Sequence, residues 1–153
     1  ALYGQVFGMR HVVFRICVPY GNLLGEGYSY GTVGFFLRHA MQGEDIPIYG
    51  LGDQRRTFSH VEDICEQVLA AAVLPESDGA TLNVAGGDDL SIREAANLVA
   101  ARYGVGIRSA VWPELARLCE SGDTIFDASA IERLTGYTCR HDLAGWVGCL
   151  QAR

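Results

Sequence analysis

The chain has 153 residues, of which 49% are hydrophobic and 20% charged, and its formal net charge is −6. A polypeptide of this length buries roughly 70% of its unfolded surface, so a single folded domain is expected and disorder is not. The acidic balance argues against a nucleic-acid backbone as partner, which needs clustered Lys and Arg, and no apolar run approaches the roughly 20 residues that span a bilayer.

Residues 1–7 read as the tail of a helix; because the first residue is Ala1, the chain is expected to be a piece of something longer. Residues 11–17 carry Val12, Val13, Phe14 and Ile16, the near-continuous apolar run of a parallel strand buried on both faces. A glycine-rich loop, residues 21–31, follows. Val33, Phe36, Leu37, Ala40 and Met41 then fall on one helical face, with Gly43 as the stop. Residues 46–49 and 57–60 read as short strands. Val61, Ile64, Cys65, Val68, Leu69 and Ala72 form the stripe of a second helix.

Ser59 with Glu62, Ser91 with Glu94 and Ser129 with Glu132 share the Ser-x-x-Glu spacing that satisfies the free amides of a first helical turn. Residues 81–85 form a strand leading into a Gly86-Gly87 turn. Ile92, Ala95, Ala96, Val99 and Tyr103 line a helix that ends at Gly104. A strand at 107–111 and short helices at 129–134 and 143–150 complete the pattern. With no repeat or linker, residues 1–153 read as one α/β unit. Its two most apolar strands, 11–17 and 81–85, exceed what so small a unit can cover, so self-association through an exposed strand edge is expected.

Cys17, Cys65, Cys119, Cys139 and Cys149 show no Cys-x-x-Cys spacing, which supports neither a zinc site nor a disulfide framework. Free thiols in a reducing, cytoplasmic compartment are the expectation. No two histidines are placed four residues apart on a helix, so no metal is expected either. The Gly50-Leu-Gly52 pair lacks the third glycine of a dinucleotide fingerprint, since Asp53-Gln54-Arg55 follows, and reads as a turn.

Two segments carry the chemistry. The first is Arg15-Ile-Cys-Val-Pro-Tyr-Gly21, and the second runs over residues 48–63, Ile-Tyr-Gly-Leu-Gly-Asp-Gln-Arg-Arg-Thr-Phe-Ser-His-Val-Glu-Asp. In this order and spacing they resemble the C-terminal, substrate-binding half of the NAD-dependent epimerase/dehydratase family, the extended short-chain dehydrogenases that act on nucleotide sugars. The resemblance implies the C-terminal portion of a Rossmann-like α/β fold: two sheet-completing strands plus a small mixed α/β subdomain. It covers nearly the whole chain.

The resemblance implies roles residue by residue. Ile16 and Cys17 would flank the nicotinamide of NAD or NADP through backbone and packing. Val18 stands where the family has an Asn that donates to the sugar nucleotide, and valine has no donor. Arg56 takes the position of an arginine that binds the substrate diphosphate, a task suited to a planar, permanently charged fork. Arg55 beside it would share the role or face water. Phe58 takes the place of an aromatic near the nucleoside, and Thr57 replaces a common Asp. Asp63 is expected to be structural, an acid in the first turn of a helix. Where relatives have a second diphosphate arginine, before Gly-Asp, this chain has Glu120; a carboxylate there would repel phosphate, and Arg117 is the candidate substitute.

The family's glycine-rich cofactor turn and its catalytic Tyr-x-x-x-Lys pair are not found; Tyr3 is followed four residues later by Phe7. The pair is expected about a dozen residues before Ala1. The sequence therefore predicts the substrate-binding half of a nucleotide-sugar epimerase or dehydratase, not competent for the redox step on its own, and a homodimer by analogy with relatives. Two alternatives are a noncatalytic binding member of the superfamily and a reductase of a smaller carbonyl compound.

Overall fold

The computed structural model describes residues 2–21 and 31–151. The expected loop at 21–31 therefore lies outside the described residues except for its two ends. In chain order the elements are α1 (Leu2–Phe7), β1 (Val13–Ile16), β2 (Val18–Tyr20), α2 (Gly31–Met41), β3 (Ile46–Tyr49), β4 (Arg55–His60), α3 (Val61–Ala72), a 3-10 turn (Pro75–Ser77), β5 (Thr81–Val84), β6 (Asp88–Ser91), α4 (Ile92–Tyr103), β7 (Ile107–Ala110), α5 (Glu114–Cys119), α6 (Ser129–Thr135) and α7 (Leu143–Cys149).

The strands pair in three small groups. β1 lies parallel to β5, and β3 parallel to β7. β4 is central to the third group, parallel to β2 and antiparallel to β6. The expected elements are present, with two strands, the 3-10 turn and the short helix α5 added. β2 lies between the expected strand at 11–17 and the expected loop from 21; the chain leaves the β1 pairing at Cys17 and runs Val18 opposite Phe58 in the next sheet. β6 follows the Gly86-Gly87 turn, and its alternation is too short and too polar to signal a strand.

Two apolar clusters hold these layers. In the larger, Phe36 and Leu37 of α2, Val99 of α4 and Leu143 of α7 pack with Ile46, Ile48 and Phe58 of the strands. In the smaller, Ile64 and Ala71 of α3 and Ile131 of α6 cover Leu82 and Val84 of β5, with Phe14 of β1 against them. Strand β1 thus packs only its Phe14 face, and that incompletely. Val13 on the opposite face is 47% exposed, Ile16 at the end of the Phe14 face is 49% exposed, and α1 buries no residue. The expectation of burial on both faces is corrected here, because among the described residues no element covers the second face and β1 has one partner strand.

Of the three helix starts read from Ser-x-x-Glu spacing, one forms the reciprocal arrangement: the Ser91 hydroxyl accepts from the Glu94 amide while the Glu94 carboxylate accepts from the Ser91 amide. At α3 the cap is His60, whose Nδ1 accepts from the Glu62 amide. Ser59 is one residue too early, still in β4, and its Oγ accepts from the Gly86 amide at 2.7 Å. At α6, Ser129 is already helical; Asp127 accepts its amide at 2.8 Å. Spacing locates a first turn but not which residue leaves the strand.

Candidate functional site

Residues from both sequence motifs meet around Thr124. The parallel register of β2 and β4 sets Val18 opposite Phe58. Arg56, two residues back along β4, bridges to Thr124 on the same edge, its opposite edge being paired with Leu90 of β6. The Thr57 amide donates to the Thr124 carbonyl at 3.3 Å, and the Thr124 amide to Arg55 at 2.9 Å. Cys17 is buried at the end of β1, its Sγ 3.9 Å from the same Thr124 carbonyl. Cys17, Val18, Arg56 and Phe58 are therefore assembled where the β1 end, the β2–β4 pair and the 120–124 segment converge.

The Arg56 side chain is not in bulk solvent; it is 14% exposed and ion-paired with Glu120 at 2.6 Å. Its other bonds go to the carbonyls of Arg55, at 2.9 Å, and Gly122. The carboxylate of Glu120 is held in turn by the Gly122 amide at 2.9 Å. Glu120 was singled out in the sequence as a repulsive neighbour for a diphosphate. In the fold its first effect is attractive, on Arg56. Arg55 points elsewhere, to Glu94 at 3.4 Å and the Asp89 carbonyl.

Phe58 is 1% exposed and belongs to the larger cluster, so its ring forms the floor under the site and presents no surface. Ile16, the last residue of β1, is half exposed. Arg117 is not part of this convergence. It projects from α5 into an open hollow lined with Gly50, Ala110, Val111, Trp112 and Glu114, where the Trp112 ring lies 5.3 Å from that of Tyr49.

A second group of polar residues surrounds the start of α3. Asp63 is fully buried and accepts from the Tyr137 hydroxyl at 2.6 Å and from the amides of Arg140 and His141 at 3.1 and 3.0 Å. Burial pushes its carboxyl up, but these hydrogen bonds outweigh that and hold it below the usual range. The structural part expected for Asp63 takes a form that sequence did not show: it fastens the 137–141 segment rather than only facing the helix dipole.

His141 stacks on His60 with ring centroids 4.1 Å apart. Burial, and then His141, push the His60 pKa down. Ligand atoms of His60, Glu62 and His141 lie within 4.8 Å of one another. Yet Nδ1 of His60 already accepts the Glu62 amide, which places the proton of the neutral ring on Nε2. Stacked rings also aim their nitrogen lone pairs along parallel lines rather than at one point. This grouping is a packed cap, and nothing in its sequence spacing marked it, since His60 and His141 lie far apart in the chain.

Parallel strands fed by helices, with the motif residues gathered at their ends, define a Rossmann-like α/β protein of the extended short-chain dehydrogenase kind. The chain belongs to the NAD dependent epimerase/dehydratase family, whose sequence profile matches residues 1–85. It is 34% identical over 89 residues to a UDP-N-acetyl-alpha-D-glucosaminuronate decarboxylase of Bacillus cytotoxicus, covering 58% of this chain and 27% of that protein. It is 36% identical over 111 residues to a dTDP-4-dehydro-6-deoxy-D-allose reductase of Streptomyces bikiniensis, covering 67% and 31%. Among solved structures, UDP-glucose 4-epimerase of Thermotoga maritima superposes with a TM-score of 0.80 at 19% identity, over 96% of this chain and 46% of that one. The chain thus spans about a third of the curated relatives it matches and under half of this structural neighbour. Among the described residues no helix is long and apolar enough to cross a membrane.

Proposed function

We propose that this chain is the substrate-binding half of an NAD(P)-dependent nucleotide-sugar epimerase or dehydratase. The observation that carries this reading is the convergence of Cys17, Val18 and Arg56 over Phe58 around Thr124, residues brought together from two motifs almost 40 positions apart. The similar proteins named above act on UDP- and dTDP-linked sugars, which supports a nucleotide-sugar substrate.

In this reading Arg56 holds the diphosphate, Val18 packs against the sugar nucleotide without a hydrogen bond, and Phe58 supports the nucleoside side from below. Arg117, beside Trp112, supplies a second cation at the neighbouring hollow. The half-exposed Ile16 and the adjoining Cys17 fit an apolar ring face, and they would hold the nicotinamide through packing. The cofactor, when bound, supplies hydride chemistry at a sugar carbon. The residues of this chain bind, orient and exclude water.

The test is calorimetry with UDP-, GDP- and dTDP-sugars. Arg56→Ala is expected to weaken binding of the recognised sugar nucleotide about tenfold, about 1.4 kcal/mol, because the contact is lost and the Glu120 carboxylate is left unpaired against the diphosphate. Unchanged affinity removes Arg56 from the diphosphate role. One observation favours a second reading, a reductase of a smaller carbonyl compound: the ion pair with Glu120 neutralises Arg56 from within. Binding of a small carbonyl compound, with no sugar nucleotide bound, would select it.

The exposed Val13 and Ile16, on opposite faces of β1, its one-sided pairing and the uncovered α1 support association of this chain through the β1 edge. Sedimentation at high concentration is expected to show dimers or larger species, as in self-association through an open strand edge. A monomer throughout counts against that contact.

A further inference from the structure

We infer that Glu120 is a specificity-determining residue, an internal competitor that occupies Arg56 and suppresses the preference of the site for a diphosphate over the corresponding uncharged nucleoside. This rests on the nucleotide-sugar reading above and concerns the same cleft. Three observations carry it. The carboxylate lies 2.6 Å from the guanidinium, with the two side chains only 14% and 24% exposed, so little solvent screens the pair. Glu120 is itself fixed by the Gly122 amide, and Arg56 by the carbonyls of Arg55 and Gly122. The pair is therefore a fitted contact between two immobilised groups, not two long chains meeting by chance in water.

The third observation is the charge around it. The contacts of residues 55–57 bring in Glu94, Glu120, Asp89 and Asp123 as carboxylates against the guanidiniums of Arg55 and Arg56. A dianion arriving here meets a cation already neutralised, inside a surplus of negative charge. It gains the Arg56 contact only by displacing Glu120, whose carboxylate is tethered and so always present at high effective concentration. An uncharged group pays no such penalty.

Calorimetry of UDP, GDP and dTDP against uridine, guanosine and thymidine tests this on the unmodified protein, on Glu120→Gln, and on Glu120→Gln combined with Arg56→Ala. The amide is isosteric, and circular dichroism verifies that each variant is folded. In the unmodified protein the recognised diphosphate and its nucleoside are expected to bind within about threefold of each other. Glu120→Gln is expected to tighten the diphosphate tenfold or more and leave the nucleoside unchanged, a difference of about 1.4 kcal/mol. The gain is expected to vanish in the double variant, because it acts through Arg56.

A diphosphate preference of a hundredfold or more in the unmodified protein overturns the inference and leaves the nucleotide-sugar reading standing; so does a Glu120→Gln affinity equal to the original. That first measurement needs no variant. If neither the unmodified protein nor Glu120→Gln binds any of the six ligands, the nucleotide-sugar reading falls and takes this inference with it.

Discussion

Asp63→Ala is expected to lower the melting temperature by about 6–12 °C, the equivalent of about 3 kcal/mol in a domain of this size. The carboxylate is fully buried and serves three donors, the Tyr137 hydroxyl and the amides of Arg140 and His141. Removing it leaves partly buried donors without an acceptor, which costs more than the net value of the bonds themselves. The fastening of residues 137–141 to the start of α3 is lost with it. Differential scanning calorimetry decides the matter; a change below about 2 °C would show that water replaces the carboxylate.

The same residue makes stability depend on pH with a definite sign. Hydrogen bonds hold the Asp63 carboxyl below its ordinary value, so the unfolded chain binds the proton more readily. Its contribution is complete above about pH 4 and is lost as pH falls through the lower folded value. His60 acts in the same sense at higher pH. Burial and then His141 depress it, and its loss begins below about pH 6.5. Asp88 opposes these two, since burial raises its carboxyl and protonation then favours the folded form. Urea titrations from pH 8 to 3 are therefore expected to fall in two stages, with the lower one flattened in Asp63→Asn.

Gly86→Val is expected to disrupt the junction between β5 and β4 outright, and Gly86→Ala to cost about 2–3 kcal/mol. A Cβ at Gly86 would stand 2.5 Å from the Phe58 carbonyl oxygen and 3.2 Å from the Ser59 Cα. Both are backbone atoms of β4, so no side chain can rotate away. The Gly86 amide also donates to the Ser59 hydroxyl, and separation of the strands breaks that bond as well. Gly87 is the control: a Cβ there meets nothing within 4 Å, and Gly87→Ala is expected to change stability by less than about 1 kcal/mol. Equal effects of the two alanine substitutions in denaturant titration would refute the close-approach argument. The displaced floor residue, Phe58, also links this variant to the candidate site.

The family was legible in the sequence, and the residues proposed for the site were named from its motifs. Arg15, Pro19, Tyr20 and Gly21 with the 48–63 segment sufficed for the family, because two motifs at this order and spacing are far more specific than either alone. Glu120 stood out as an acid where a base was expected. Its partner did not. The meeting of Arg56 and Glu120 spans 64 positions and depends on Thr124 pairing beside β4, which no local spacing encodes. Arg117 is the reverse case, plausible by proximity in sequence yet set by α5 in a different hollow.

What the sequence determined by itself is local: the helices of α2, α3 and α4, whose apolar stripes repeat every three or four residues, and the strands whose side chains match a pleated, buried surface. It also marked the family, through the order and spacing of two motifs. Only the tertiary structure decided which side chain caps α3, that Val18 to Tyr20 pairs with β4 rather than continuing β1, and that Arg56 arrives already neutralised. Each of these depends on groups distant along the chain and close in space, where the energy of a hydrogen bond or an ion pair is set by burial and by its neighbours rather than by residue type.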